Sequence, residues 1–296
     1  MSFKLLLRTF RPSFLILTPV CIFLGVSTSL STEIPENDFL IGIVLLGALS
    51  AHISVNTLNE YLDFKSGLDM QTIKTSFSGG SGTLPEHPEL ARHVFIIGII
   101  TLLITISIGV YLALQYGTHI IPYGLVGVLL ILAYTRWLNR SPLLCLLAPG
   151  LGFGPLMIIG TYIILNGGNS PLPWLASMVP FFLVGNLLLL NQYPDIKADA
   201  SVGRQTLPIV YGTKFSTFIY ACFMLLAYAL ILLLSISGNF PRLSVIALIP
   251  FIFSLTSLYG AVKYSTDIGQ HPQVLATNVA AALLTTLLLG ISLIYG

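Results

Sequence analysis

Hydrophobic residues are concentrated in long runs that are separated by short polar stretches. An α-helix needs about 20 mainly apolar residues to cross a bilayer core of roughly 30 Å. The chain contains nine runs of that kind, and each predicts a membrane-spanning helix. They lie at about 12–30, 39–59, 93–115, 119–137, 142–165, 172–191, 214–236, 242–261 and 275–295. The pattern predicts an all-α polytopic membrane bundle of nine helices, forming one domain over residues 1–296.

The composition supports a protein that lies mainly within the membrane. Of its 296 residues, 55% are hydrophobic and only 8% are charged, whereas a soluble domain averages about 25% charged residues. A net charge of +2 gives no indication of an acidic partner such as nucleic acid. Cys21, Cys145 and Cys222 lie far apart inside apolar runs, which predicts buried thiols rather than disulfides or a zinc site.

Basic residues predict the orientation, because cytoplasmic loops of membrane proteins are enriched in Lys and Arg. With the N-terminus in the cytoplasm and nine crossings, twelve of the 13 Lys and Arg residues lie on the cytoplasmic side, and only Arg242 lies outside. We therefore expect a multi-pass protein of the inner (cytoplasmic) cell membrane. Two long loops, at about 60–92 and 192–213, would face the cytoplasm.

The first cytoplasmic loop begins with the polar stretch NTLNEYLDFKSGLD, residues 56–69. Asn56, Asn59 and Asp63 are spaced three and four residues apart, so a helix continuing from the second span places them on one face. Gly67 permits a break in the chain, after which Asp69 can fold back towards the same point.

The second cytoplasmic loop contains NQYPDIKADASVGRQTL, residues 191–207. Pro194 suits the first turn of a helix, and Asp195 and Asp199 then share one face. Seven of the eleven acidic residues fall in the two loops. Acids at a membrane boundary are costly unless they are paired or used, so the two stretches are predicted to form one site.

The residue types at this site favour magnesium. Carboxylate and amide oxygens are hard ligands, and Mg²⁺ usually takes one or two carboxylates together with water and substrate phosphate oxygens. Two facing acidic patches thus predict a diphosphate held between them. The basic candidates for its remaining oxygens are Lys65, Arg204, Arg11 and Arg136.

Plainer interpretations remain open for several of these features. A single acid in a loop is often just solvated, and Arg136 and Arg140 lie where basic residues are common at cytoplasmic helix ends. His52 either faces a cavity or makes an interhelical hydrogen bond. The segment FSGGSGTLPE, residues 77–86, either brings backbone N–H groups close to an anion or is a flexible loop.

The residues of the two polar motifs together resemble the UbiA superfamily of intramembrane prenyltransferases. Asn59, Asp63 and Asp69 match the first motif of the branch that prenylates 1,4-dihydroxy-2-naphthoate for menaquinone, with Glu60 in place of the usual aspartate. The second motif is matched by Asp195, Asp199 and the string GRQTL, in which Gln205 replaces a common basic residue. FSGGSGTLPE and GFGPLMIIGTY (152–162) are also similar to that branch.

The resemblance implies a Mg²⁺-dependent prenyltransferase of quinone biosynthesis. Its partners would be a polyprenyl diphosphate donor, an aromatic acceptor, favoured to be 1,4-dihydroxy-2-naphthoate, and the lipid bilayer. The implied metal ligands are Asn59, Asp63, Asp69, Asp195 and Asp199, and the implied catalytic residues are Asp63, Asp195 and Asp199. The implied substrate-binding residues are Asn56, Lys65, Arg11, Tyr134, Arg136, Asn191, Tyr193 and Arg204.

Several other functions are alternatives to this one. Within the same family the acceptor could instead be 4-hydroxybenzoate, homogentisate, haem B, a chlorophyllide or a glycerol-phosphate lipid. The membrane CDP-alcohol phosphotransferases carry one continuous motif that does not occur here. A secondary transporter would place its acids near the membrane midplane, whereas these acids are predicted at the cytoplasmic ends of helices.

Overall fold

The computed structural model of the chain describes residues 3–30, 37–72, 74, 75 and 77–296, and within these ranges it contains helices and no strand. Two positions of the first long loop, 73 and 76, lie outside the described residues. The α-helices are α1 (Phe3–Thr9), α2 (Pro12–Leu15), α3 (Leu17–Leu30), α4 (Asp38–Lys65), α5 (Thr83–Glu86), α6 (Ala91–Tyr116), α7 (Ile121–Ala133), α8 (Pro142–Leu151), α9 (Met157–Asn166), α10 (Pro171–Asn191), α11 (Ile196–Ser201), α12 (Leu207–Ser237), α13 (Phe251–Tyr264) and α14 (Pro272–Tyr295). Short 3₁₀ turns cover Leu68–Met70, Pro88–Leu90, Thr118–Ile120, Leu138–Arg140, Arg242–Leu248 and Ser265–Gln270, and a π turn covers Gly152–Leu156.

Eight helical segments of the described chain are long and apolar enough to cross a membrane. They are Pro12–Leu30, Asp38–Lys65, Pro88–Tyr116, Pro142–Asn166, Pro171–Asn191, Leu207–Ser237, Arg242–Gln270 and Pro272–Tyr295. The predicted fourth span, 119–137, corresponds to the shorter apolar helix Thr118–Ala133. The predicted all-α membrane bundle is confirmed, while the count of nine crossings and their direction stay predictions.

Several helices differ from the predicted runs in ways that matter for the polar loops. Helix α4 continues to Lys65, so most of the first polar motif lies on the helix itself. The predicted span 142–165 is interrupted at the π turn Gly152–Leu156, which contains Pro155 and follows Pro149 of α8. Proline removes a backbone donor from a helix, and π turns are a common way to absorb such a break.

The second polar loop is shorter than predicted because the helix that follows it begins early. Helix α12 already begins at Leu207 and bends at Gly212, whose φ of 78° and ψ of 165° are not helical. The span predicted to begin at 214 is therefore the part of α12 that follows this bend. Together with the extended α4, the early start of α12 keeps both polar motifs close to the ends of long helices.

Small residues allow the helices to approach one another closely, as is usual in membrane bundles. A Cβ atom added at Gly98 of α6 would lie 2.7 Å from Leu58 Cδ2 of α4. Ser54 on α4 donates a hydrogen bond to the carbonyl of Gly98 at 2.9 Å. Helix α10 lies in the largest buried cluster and packs against α8, α12 and α14. Between these two packed groups lies the cavity described below.

Candidate active site at the end of helix α4

The last turns of α4 present three polar side chains to a large cavity. Asn56, Asn59 and Asp63 all line it, as expected from their spacing on one helix face. The Asn59 amide donates a hydrogen bond to Asp63 Oδ2 at 2.8 Å and accepts one from the Thr135 hydroxyl at 2.9 Å. These two bonds fix the orientation of the Asn59 amide.

The chain turns back directly after α4 and brings a second carboxylate to the same cavity. Gly67 has a φ of 78°, a conformation that glycine adopts without strain. The short turn Leu68–Met70 then carries Asp69 back to the cavity. Asp69 Oδ2 is buried and has no hydrogen-bond partner among the described residues. The folding back of Asp69 that the sequence predicts is thus observed.

The second motif lies at the same end of the cavity. Asp195 and Asp199 both line it, and they are one helical turn apart, since the Asp199 N–H donates to the Asp195 carbonyl at 2.8 Å. Asp195 Oδ2 accepts a hydrogen bond from the Gly79 backbone N–H at 3.1 Å. Its other oxygen, Oδ1, is buried without a partner in the described structure.

Arg204 joins the two motifs. One of its terminal nitrogens donates to Asp199 Oδ1 at 2.8 Å, and the other forms an ion pair with Asp63 Oδ1. Removal of one partner from such a buried ion pair strongly destabilises a protein, because it leaves a buried charge without compensation. The structure therefore brings the two polar stretches together around one guanidinium, while their roles in binding metal and substrate stay predictions.

The glycine-rich segment of the first loop packs between the motifs. Gly79 and Gly80 line the cavity and have φ values of 78° and 70°. A Cβ atom at Gly80 would lie only 3.1 Å from Asp69 Oδ1. Of the two interpretations of this segment, the close backbone approach agrees better with the contacts that Gly79 makes with Asp195.

Glu60, which replaces the usual aspartate of the family motif, does not line the cavity. Its side chain is fully buried and accepts hydrogen bonds from the Ser81 N–H, at 3.0 and 3.1 Å, and from the Ser81 hydroxyl. Arg11 lies 3.5 Å from the same carboxylate. Glu60 thus attaches the glycine-rich segment to α4, a role that its place in the motif does not reveal.

Burial keeps several of these carboxyl groups partly protonated near neutral pH. Burial, with the charges of Glu60 and Asp63, raises the pKa of Asp69 to about 8. Burial and the neighbouring Asp199 raise the pKa of Asp195 to about 7, although the Gly79 N–H and Arg204 oppose this. Burial raises the pKa of Asp199 to about 6 against the opposing charge of Arg204. The cluster contains more carboxyl groups than Arg11 and Arg204 pair with, since in the described structure their ion pairs reach only Glu60, Asp63 and Asp199.

This excess of carboxylate fits a bound cation. No group of three His, Cys, Asp or Glu side chains in the described structure is arranged to hold one ion by itself. Mg²⁺ commonly needs only one or two carboxylates, because water and substrate phosphates complete its shell. The buried oxygens Asp69 Oδ2 and Asp195 Oδ1, which have no protein partner, are of the chemical type that Mg²⁺ prefers.

Three residues predicted to bind substrate lie away from the cavity. Lys65 is exposed, with its ammonium 5.8 Å from the centre of the Tyr61 ring. Arg136 is exposed on the turn that follows α7. Tyr193 is completely buried, and its hydroxyl contacts the Thr213 carbonyl at 3.1 Å and the Thr217 hydroxyl at 2.9 Å. None of these three side chains lines the cavity.

The remaining five residues predicted to bind substrate line the cavity: Arg11, Asn56, Tyr134, Asn191 and Arg204. Two residues that the sequence did not single out, Asn139 and Thr206, also line it, and each has a buried oxygen without a partner among the described residues. Thr206 belongs to the string GRQTL of the second motif, so its position in the sequence could have indicated a place at the site. Asn139 lies in a connecting turn with no recognisable pattern around it.

The cavity extends from the acidic cluster into the apolar interior. Its volume is about 740 Å³, and along α4 its lining runs from Asp63 to Val44, about 28 Å at 1.5 Å per helical residue. Val110 and Leu114 on α6 and Leu125 on α7 line it while more than half exposed. The cavity therefore has a polar end, a long apolar body and a side opening between α6 and α7.

The structure is a membrane helix bundle with an acidic cluster at one end of a deep apolar cavity. This arrangement defines a class of integral membrane protein whose site suits amphiphilic ligands. The chain belongs to the UbiA prenyltransferase family, whose family model matches residues 16–267. Members of this family are prenyltransferases.

Individual relatives and a solved structure agree with this assignment. The chain is 28% identical over 243 residues to 1,4-dihydroxy-2-naphthoate octaprenyltransferase of Bacillus subtilis (strain 168), covering 79% of this chain and 75% of that protein. It is 25% identical over 256 residues to digeranylgeranylglyceryl phosphate synthase of Methanobrevibacter smithii, covering 85% and 84%. Its fold is similar to a UbiA homologue from Archaeoglobus fulgidus bound to DMAPP and Mg²⁺, with a TM-score of 0.67, 13% identity and coverage of 98% and 99%.

Proposed function

We propose that this membrane protein transfers a polyprenyl group from a prenyl diphosphate to 1,4-dihydroxy-2-naphthoate, with Mg²⁺, as a step of menaquinone biosynthesis. The observation that carries the proposal is the bridge formed by Arg204 between Asp63 and Asp199. It brings carboxylates of both polar motifs to the polar end of one apolar cavity. Such an arrangement suits a ligand with a diphosphate head and a hydrocarbon tail.

Support for the metal comes from the chemistry of the lining oxygens. Asn59, Asp63 and Asp69 on one side and Asp195 and Asp199 on the other would hold Mg²⁺ together with the diphosphate. When bound, Mg²⁺ would supply positive charge that stabilises the departing diphosphate. The homologue of similar fold that is bound to DMAPP and Mg²⁺ supports the same ligand pair.

The residues of this chain would assist in three ways. Arg204 and Arg11 provide fixed positive charge beside the developing negative charge of the diphosphate. The Gly79 N–H group keeps Asp195 oriented towards the cavity. The apolar body of the cavity holds the tail and limits the access of water to the allylic cation.

The acceptor is the more specific part of the proposal. The relative from Bacillus subtilis favours 1,4-dihydroxy-2-naphthoate, and the first motif has the spacing of that branch. The relative from Methanobrevibacter smithii carries the name of a lipid prenyltransferase and makes a glycerol-phosphate lipid the main alternative. The distribution of basic residues supports a polar end that faces the cytoplasm from the inner membrane.

A direct assay tests both parts. Membranes containing the protein are incubated with one prenyl diphosphate, Mg²⁺ and a panel of aromatic and lipid acceptors, and products are identified by mass. We expect a prenylated product of 1,4-dihydroxy-2-naphthoate, formed with release of diphosphate and loss of a proton or CO2 from the ring, that disappears with a chelator and in Asp195→Asn. The matched control is Asp267→Asn, which changes an exposed acid outside the cavity. Product formed only from 4-hydroxybenzoate or a glycerol-phosphate lipid would refute the acceptor, and no product from any acceptor would refute prenyl transfer.

A further inference from the structure

A stripe of polar residues continues along α4 from the acidic cluster into the apolar part of the cavity. His52, Asn56, Asn59 and Asp63 follow one another at intervals of four, three and four residues, and all line the cavity. His52 is the deepest, about 16 Å from Asp63 along the helix axis. Its place in this apolar region calls for a physical explanation, because buried polar groups are costly without partners.

One ring nitrogen of His52 is already used by the protein. His52 Nδ1 lies 2.8 Å from the Thr18 hydroxyl of α3. The ring also packs edge-on against Phe153, with centroids 4.8 Å apart and an interplanar angle of 72°. These contacts fix the orientation of the imidazole. They leave Nε2 as the ring nitrogen with no hydrogen bond to any described residue.

A second open polar atom lines the same cavity from the opposite helix. Asn191, the last residue of α10, is 8% exposed, and its Oδ1 is buried without a partner among the described residues. One turn earlier on α10, Leu188 packs against the same buried cluster as Phe153, the residue that holds the His52 ring. The parts of the cavity wall that carry Asn191 and His52 thus pack against the same buried cluster of side chains.

The charge of this region selects among ligand groups. The cations among the described cavity-lining residues are Arg11 and Arg204, and both are already paired with carboxylates of the protein. Arg11 is the nearer of the two to His52, but a carboxylate placed there would have to compete with Glu60 for its charge. A hydroxyl group, in contrast, both donates and accepts, so one ring hydroxyl can pair with Nε2 in either tautomer, and a second can donate to Asn191 Oδ1.

We propose that His52 Nε2 and Asn191 Oδ1 form a subsite that binds the ring hydroxyl groups of the aromatic acceptor. The inference rests on the proposed prenyl transfer to an aromatic acceptor and adds where and by which group that acceptor is recognised. The donor diphosphate occupies the acidic cluster, and the acceptor ring lies between that cluster and His52. Thr18 is a positioning residue that acts through His52.

Two substitutions of His52 test the roles of its two ring nitrogens separately. His52→Asn keeps a polar atom near the position of Nδ1, so it can still contact Thr18, but it removes Nε2. His52→Gln can reach the position of Nε2 without the contact to Thr18. The assay measures KM for the acceptor, KM for the donor and kcat, using 1,4-dihydroxy-2-naphthoate and its two monomethyl ethers.

We expect His52→Asn to raise the acceptor KM about tenfold, the effect of leaving a buried partner unpaired, with the donor KM within about twofold of wild type. His52→Gln should recover part of the loss. Methylation of one of the two hydroxyls should weaken wild-type binding but add little to His52→Asn, because effects that share one contact are not additive. An unchanged acceptor KM in His52→Asn, or an equal rise in both KM values, overturns the subsite.

The ether series on the wild-type protein provides a test that needs no substitution. If wild type turns over both ethers with the same KM and kcat as the parent compound, the hydroxyl subsite is refuted, even if the variants do not fold. Failure of the proposed function looks different, because wild type would then prenylate no aromatic acceptor at all. Turnover of the parent naphthoate with ether-insensitive kinetics refutes only the subsite.

Discussion

Arg204 and Asp63 form a buried ion pair although 141 positions separate them in the sequence. The same guanidinium donates to Asp199, so a single side chain holds carboxylates from two distant helix ends. A planar guanidinium suits this task, because its nitrogens diverge at fixed angles and can serve two carboxylates at once. The geometry of the acidic cluster therefore depends on Arg204 more than on any one acid.

Replacement of Arg204 should strongly reduce prenyl transfer. We expect Arg204→Gln to lower kcat about 100-fold, the usual effect of removing one electrostatic contact at a reacting centre. Arg204→Lys should recover only part of this, since one ammonium cannot reproduce both contacts. The measurement is the initial rate in membranes, with Arg140→Gln, an exposed residue, as the control. A rate for Arg204→Gln within threefold of wild type would contradict this expectation.

Glu60 should be required for the position of the glycine-rich segment rather than for ligand contact. Glu60→Gln weakens charge-assisted hydrogen bonds to Ser81, so the free energy of unfolding should fall by about 2 kcal/mol. The donor KM should rise several-fold, because the segment also carries Gly79 and Gly80 to the cavity. Thermal unfolding in detergent and donor kinetics measure the two effects. The control is Glu89→Gln, which changes an exposed residue. A Glu60→Gln variant with normal stability would argue that Glu60 does not attach the glycine-rich segment to α4.

The close approach of Gly80 to Asp69 predicts a specific loss of metal affinity. Gly80→Ala places a methyl group 3.1 Å from Asp69 Oδ1 at a φ of 70°. Gly238→Ala imposes a similar φ of 78° in open space at the end of α12. Both should cost about 1 kcal/mol of stability, but only Gly80→Ala should raise the Mg²⁺ concentration that gives half-maximal activity. Equal metal dependence in the two variants would show that Gly80 is only a turn residue.

Metal affinity should increase as the pH rises from about 6 to 8. In the metal-free protein the raised pKa values, about 8 for Asp69 and about 7 for Asp195, mean that protons occupy these carboxyls near neutrality. Mg²⁺ must displace those protons, so its apparent Kd should fall as they dissociate at higher pH. Calorimetric titration in two buffers of different ionisation enthalpy would measure the protons released. Asp69→Asn should release fewer, and binding that is independent of pH would refute the explanation.

The helices were largely predictable, because lipid requires long apolar segments with internally satisfied backbone groups. The polar face of α4 and the turn at Gly67 also followed from spacing and from the special conformations of glycine. The predicted span 119–137 proved shorter, and the one at 142–165 contains a π turn near two prolines. Those departures depend on local packing and on how freed backbone groups find new partners.

Side-chain direction in the loops was not predictable from spacing. Lys65 and Arg136 carry the expected charge, yet both project away from the cavity. Tyr193 follows Asn191 by two residues but is turned into the bundle, where Thr213 and Thr217 satisfy its hydroxyl. For Tyr193 the direction is set by contacts with residues 20 and 24 positions further along the chain, which a single sequence does not reveal.

The side opening between α6 and α7 has a consequence for the length of the isoprenoid chain. A closed pocket of fixed depth would act as a ruler and reject any donor longer than itself. In the proposed reaction, the far isoprene units would pass between Leu114 and Leu125, which line the cavity and are exposed, into the surrounding lipid. The number of units in the final product would then be inherited from the enzyme that elongates the donor, and this protein would attach whichever chain length it receives.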